Sequence, residues 1–248
     1  MNLQTIMEAV PTFLYSDGAD MTGLAVTAKL FLLSVVPGLL LALVMAVGQA
    51  FGPRPLAWLI RSVTYFFRST PLYLQLMLIY YGLSQFDIVQ LGWQDDQPFW
   101  LLFRDATFCA TLALVLNTSA YVAELLAGMM VTFPRQEWVT FPRQEWVAGE
   151  AFGMSQWQII RRLVLPATLR RGIPALNNEM VFLLHATSLA STVTLLDITG
   201  VARAFYAATY SPFIPFLMAA ALYLLCTFML IFLFSRAERR WLAFARHD

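Results

Sequence analysis

The chain has 248 residues, of which 59% are hydrophobic and 12% charged, and its 16 basic and 15 acidic side chains leave a net charge of +1. Soluble globular domains carry about twice that charged share, so the composition excludes an ordinary soluble protein and points to a membrane one. The length suits a single domain, 1–248, and the balanced charge gives no reason to expect a nucleic-acid partner.

The first 20 residues hold Glu8, Asp17 and Asp20 but no Lys or Arg, the reverse of the basic start of a secretory signal. A transmembrane helix needs about 20 mostly apolar residues, and five stretches qualify: 23–48, 63–84, 106–130, 173–196 and 213–234. Any one of them alone reads equally as a buried core helix. Five in so short a chain predict an all-α integral membrane bundle. Cys109 and Cys226 both lie in apolar stretches and read as unpaired small residues.

The connections between these spans differ in charge. Arg54 and Arg61 lie between the first and second, with Arg68 just inside the second. Arg135, Arg143, Arg161, Arg162, Arg170 and Arg171 lie between the third and fourth, and Arg236, Arg239, Arg240 and Arg246 in the tail. The opposite side has only Arg104 and Arg203, with Lys29 early in the first span. The positive-inside rule then places the N-terminus outside, the C-terminus inside and the long 131–172 segment in the cytoplasm. The outer connections carry Asp87, Asp95, Asp96, Asp105 and Asp197, which read as a solvated acidic surface or as a docking face for an external protein.

Ionisable groups inside hydrocarbon are costly and mark functional sites. The second span begins "FFRSTPLYLQL", with Arg68, Thr70, Pro71 and Gln75; Pro71 frees backbone groups at membrane depth, which is tolerated only against protein or a water-filled cavity. The third holds "NTSAYVAELLAG", with Asn117, Thr118, Ser119, Tyr121 and Glu124. The fourth holds "NNEMVFLLHATSLAST". As a helix, this segment puts Asn178, His185 and Thr192 on one stripe and Glu179 on another, so it belongs inside a bundle. Glu179 reads either as the partner of a structural arginine or as a carboxylate in a translocation path. Glu124, nearer a cytoplasmic helix end, reads as structural. His185 reads as a satisfied polar group or as a ligand contact.

No nucleophile–base pair stands at motif spacing, and two histidines, one of them in the tail, do not make a His-rich metal site. Lys29 is the only lysine and no G-x-x-x-x-G-K-[ST] surrounds it, so any ATP that drives this chain is bound by another polypeptide. The expectation is a transport subunit, not an enzyme, with no cofactor of its own.

The cytoplasmic segment reads "VAGEAFGMSQWQIIRRLVLPATLRRGIP": a short helix, Gly153, then an amphipathic stretch closed by Leu165-Pro166. Such a helix at the membrane edge suits a groove on a soluble partner. This segment resembles the EAA loop of bacterial ABC importer permeases, with Gly153, Leu163 and Leu165-Pro166 at the pattern's glycine, isoleucine and closing pair. "RSTPLYLQL", "LNTSAYVAELLAG", "NNEMVFLLHATSLAST" and "AERRWLAF" resemble the polar amino-acid subfamily, nearest to the M-type permeases of histidine/lysine/arginine/ornithine importers, with opine permeases beside them. The resemblance implies the type I ABC importer permease fold in the bacterial inner membrane, surrounded by lipid. It also implies a second permease subunit, two ATPase subunits that use the ATP, and an extracytoplasmic substrate-binding protein. By the same resemblance Ala148, Gly149, Glu150, Ala151, Phe152, Gly153, Met154 and Ser155 form the helix that couples to the ATPase. Glu179 faces a cationic substrate, with Asn178, Leu183 and His185 of the same block along the path, and Arg68 meets the substrate carboxylate. Two positions depart from the pattern: Val147 stands where the loop has its glutamate and Gly149 where it has its second alanine. A proton-coupled secondary transporter working through Glu124 or Glu179 is the alternative reading.

One octet occurs twice, as Thr132–Val139 and Thr140–Val147, "TFPRQEWV" both times. Removing one copy restores the family's spacing between Glu124 and Gly153. The repeat reads as a tandem duplication that loops out, because each copy carries a helix-breaking Phe-Pro, or else as a partner-binding insert.

Overall fold

The computed structural model describes residues 3–131 and 141–241. Their named elements are all helical, and the β pairing among them is limited to two isolated bridges, Ser16 with Met21 and Gly23 with Asp197. Helix α1 (Leu3–Leu14) precedes α2 (Leu24–Phe51). Helix α3 (Arg54–Ser69) starts after Pro53, and α4 (Leu72–Met77) runs on into a π turn over Leu78–Gly82. The short α5 (Asp87–Gln94) and α6 (Pro98–Leu101) lead to α7 (Ala106–Val131). The first octet copy and Thr140 lie outside the described residues. Then come α8 (Phe141–Ala151), α9 (Gln156–Ile159), a π turn over Ile160–Val164 and α10 (Leu165–Ala186). A 3-10 turn over Thr187–Val193, α11 (Ile198–Thr209) and α12 (Phe213–Trp241) complete the chain.

Helices α2 and α7 form the central pair. One face of α2 carries Ser34, Gly38, Ala42 and Ala46, four residues apart and all buried. Helix α7 contributes the buried Ala113, Ala120, Ala123 and Ala127. Small side chains let backbones approach closely, which drives helix association in lipid, where apolar burial does not. Helix α12 lies at the rim: 6% of its apolar window is buried, against 56% for α7.

Three helices, Leu24–Phe51, Ala106–Met130 and Phe213–Arg240, are long and apolar enough to cross a membrane. They coincide with the first, third and fifth expected spans. The second expected span is divided at Thr70-Pro71 into the end of α3 and α4 with its π turn. The fourth differs more. Its helix begins at Leu165, with Pro166 in the first turn, so Leu165-Pro166 opens a helix where the sequence suggested a closure. Proline lacks an N–H and crowds the carbonyl four residues back; the preceding π turn relaxes that hydrogen-bond ladder and lets winding continue from α9. Beyond Ala186 the winding tightens to 3-10, where the Thr187, Ser191 and Thr192 hydroxyls donate to carbonyls three residues back, at 2.7, 2.8 and 2.6 Å. The change of pitch takes Thr192 off the stripe expected for Asn178 and His185.

A second packed region joins the two ends of the fold. Phe13 of α1 stacks on Phe205 of α11 with centroids 5.8 Å apart, among buried Ala9, Ile198, Val201 and Ala202. Gly23 turns the chain between α1 and α2 at φ 59°, and a Cβ there would lie 2.0 Å from the Phe13 carbonyl oxygen, so only glycine fits. Its N–H donates to Leu196 O at 2.7 Å, and the Thr27 hydroxyl accepts from Ile198 N at 3.2 Å. At the centre is Asp197. It is fully buried, which corrects its assignment to a solvated acidic surface. Its carboxylate caps α11 by accepting from Thr199 N and Gly200 N, at 3.1 and 3.0 Å, and also accepts from the Tyr223 hydroxyl of α12 at 3.0 Å. Burial pushes the carboxyl up from 3.8 to about 6, against the pull of those donors.

Candidate functional site

The break between α3 and α4 leaves backbone carbonyls without helical partners, and side chains supply them. Gln75 is buried; its Nε2 donates to Phe67 O, Thr70 O and Thr70 Oγ1 at 2.8, 2.9 and 2.8 Å. Asn117 of α7 donates to Phe67 O and Gln75 Oε1, both at 3.3 Å. The carbonyls freed at the proline break are therefore answered by side chains of the protein, as such a break at membrane depth requires, while Pro71 itself is exposed.

Just before the break stands Arg68. Its Nη1 lies 3.7 Å from Glu124 Oε2, its guanidinium carbon 5.4 Å from the Tyr121 ring centroid, and its carbonyl accepts from the Tyr121 hydroxyl at 3.2 Å. Glu124 Oε2 also accepts from Gln49 Nε2 of α2 at 2.9 Å. Asn117, Tyr121 and Glu124 follow one stripe of α7, at spacings of four and three. That spacing is the signal in the sequence that could have joined Asn117 and Tyr121 to Glu124.

Beside this group a cavity of about 450 Å³ opens between α4, α7 and α10, lined by Leu72, Asn117, Thr118, Tyr121, Glu179 and Leu183 among others. Its walls are mostly apolar, with polar groups concentrated on α7 and at Glu179. Glu179 is half-buried and, among the described residues, has no hydrogen-bond partner. Of the five residues the sequence assigns to a substrate path, Glu179 and Leu183 line this cavity and Arg68 touches its wall through Tyr121. Asn178 is exposed and outside the lining. His185 turns to α12, its Nε2 2.9 Å from Thr227 Oγ1 and its ring edge-on to Tyr223.

The other candidate surface lies at α8 and α9. Helix α8 ends at Ala151, and Gly153 just beyond it, at φ 74°, reverses the chain while Met154 N donates back to Gly149 O at 2.9 Å. Ser155 then opens α9 with a capping box to Gln158. The two helices touch where Gly149 meets Ile159: a Cβ on Gly149 would lie 2.9 Å from Ile159 Cγ1. This contact accounts for glycine where the EAA pattern has alanine. Gly149 is buried and Met154 partly so, while Ala148, Glu150, Ala151, Phe152, Gly153 and Ser155 are exposed, Phe152 to 87%. Behind them Trp146, in the second octet copy, stacks on Phe51 at the end of α2, with centroids 5.8 Å apart and planes at 18°. Its indole N–H donates to Glu150 Oε1 at 2.8 Å.

Residues 38–242 match the family described as binding-protein-dependent transport system inner membrane component. The chain belongs to this family. It is 41% identical over 240 residues to the histidine/lysine/arginine/ornithine transport system permease protein HisM of Salmonella typhimurium, covering 97% of each chain. It is 36% identical over 238 residues to the nopaline transport system permease protein NocM of Agrobacterium fabrum, covering 96% of this chain and 91% of that one. Among solved structures it resembles an amino acid ABC transporter crystallised with histidines, at TM-score 0.75 and 28% identity over 97% of this chain and 99% of that one. The inward-facing MetNI methionine ABC transporter shares the fold at TM-score 0.70 and 14% identity. The protein is thus a multi-pass membrane permease component of an ABC-type importer with the type I fold. The cavity and the α8–α9 turn both fall within the segment that carries the family match.

Proposed function

We propose that this permease passes basic or polar amino acids, of the histidine, lysine, arginine, ornithine or opine class, through the cavity bounded by Glu179. The observation that carries the reading is Glu179 itself, a half-buried carboxylate on a cavity with no hydrogen-bond partner among the described residues. A charge in that position is costly unless something pairs with it. Glu124, Arg68 and Glu179 together sum to one negative charge, which a basic amino acid of net charge +1 balances. Its guanidinium or ammonium group pairs with Glu179, and its carboxylate faces Arg68. The relatives' substrates point the same way.

In this reading the whole chain, 1–248, is one domain in the inner membrane. The two interrupted helices cross together with the three continuous ones, making five spans. The N-terminus is outside and the arginine-rich connections and C-terminus inside. The exposed turn Ala148–Ser155 seats on an ATPase subunit, and the segment 131–172 is the coupling part of the domain. A second permease, two ATPases and an external binding protein complete the importer, and ATP is used by the ATPases alone.

The test is uptake of labelled arginine into proteoliposomes holding the full complex, with ATP and binding protein each added or withheld. Uptake that needs both supports the reading. Uptake that follows a proton gradient without ATP overturns it in favour of a secondary transporter. Parallel assays with Thr132–Val139 deleted establish whether the doubled octet weakens coupling.

A further inference from the structure

Arg68 is held by one carboxylate, Glu124, and stands over Tyr121, which lines the cavity together with a second, Glu179, so its position bears on whether the cavity can bind a cation at all. It pairs with Glu124 at 3.7 Å and lies over Tyr121, a wall residue that Glu179 shares. An arginine free to choose would neutralise Glu179, and a cationic substrate would then have to displace it. Two features hold it back. Glu124, which is not among the cavity-lining residues, draws the guanidinium, and Gln49 fixes Glu124 by donating to the same Oε2 at 2.9 Å. The Tyr121 ring face gives the guanidinium a second seat, and the Tyr121 hydroxyl ties that ring to the Arg68 backbone.

We infer that Glu124 is a positioning residue for substrate binding: it retains Arg68 so that Glu179 stays open to the substrate's cation and Arg68 to its carboxylate. This rests on the proposed role of Glu179. Without Glu124, Arg68 and Glu179 pair with each other and both ends of the substrate lose their partners. The effect falls on binding and leaves the transport step alone.

The experiment measures concentration-dependent arginine uptake by the reconstituted complex for Glu124→Gln, Glu124→Asp, Arg68→Gln, the double variant Glu124→Gln/Arg68→Gln, and Glu179→Gln. Glu124→Gln should raise KM about ten-fold with kcat little changed, as expected when a charge partner is removed. Glu124→Asp should return KM to within about two-fold of the starting chain, because the carboxylate is kept. In the Arg68→Gln background Glu124→Gln should add no further rise, since there is no arginine left to restrain. Equal penalties in both backgrounds, or a loss in kcat with KM unmoved, overturn the inference and leave Glu124 a purely structural acid. Normal uptake by Glu179→Gln overturns the substrate reading itself. Failure of Glu179→Gln together with a silent Glu124→Gln overturns only the positioning role.

Discussion

Asp197 and Glu179 are both withdrawn from bulk water, yet the fold treats them differently. Asp197 is met by two backbone N–H groups and a tyrosine hydroxyl, and through them it ties α11 to α12. Glu179 faces a cavity and is met by no donor among the described residues. A buried acid whose oxygens are all answered holds the fold; one left unanswered on a cavity is available to something that arrives. The comparison teaches that burial alone does not sort structural from functional acids, and that the donors around each do.

The largest expected effect breaks or upholds this contrast at the cavity. Glu179→Gln should cut arginine uptake efficiency roughly 10- to 100-fold, the worth of a charge-assisted hydrogen bond, with thermal stability unchanged. A stability loss with uptake intact would reverse the roles. Next is the outer knot: Asp197→Ala should cost about 2 kcal/mol through the lost cap and a Tyr223 hydroxyl left without its acceptor, measured by thermal unfolding in detergent, with uptake per folded complex unchanged.

The two acids also differ in what pH can do. The folded carboxyl of Asp197, at about 6, lies above its ordinary 3.8. The folded state therefore holds the proton more tightly than the unfolded state, so this group's contribution is fully present below about 4 and is lost as pH rises through about 6. Unfolding of the starting chain compared with Asp197→Asn should show the difference between them changing across that window and flat on either side. The smallest effect sharpens the edge of the site. His185→Ala removes a contact to Thr227 outside the cavity, so uptake should stay within about two-fold, as for substitutions away from a site. A larger loss would draw α12 into the pathway.

Much of this arrangement was legible in the sequence, for identifiable reasons. Continuous apolar runs marked α2, α7 and α12 because length and hydropathy alone define such helices. Pro71 marked the break in the second span because its missing N–H cannot be hidden. The start of α10 was misjudged at Leu165-Pro166 because a π turn depends on hydrogen-bond phase, which composition does not reveal. The stripe through His185 failed for a similar reason, since the 3-10 winding from Thr187 changes the angle per residue. Asp197 was taken for a surface acid although "DITG" carries a helix N-cap signal; its burial depends on α1 and α12, far away in the chain. Glu179 and Leu183, named from their block, line the cavity, while Asn117 and Tyr121 were noticed as polar but not joined to it.

The stack of Trp146 on Phe51 has a consequence for heredity. The two octets are identical in letters, and among the described residues it is Trp146, in the second, that stacks on Phe51. Selection for that contact therefore acts on Trp146. Descendants of this gene are expected to keep an aromatic side chain at position 146 wherever they keep Phe51.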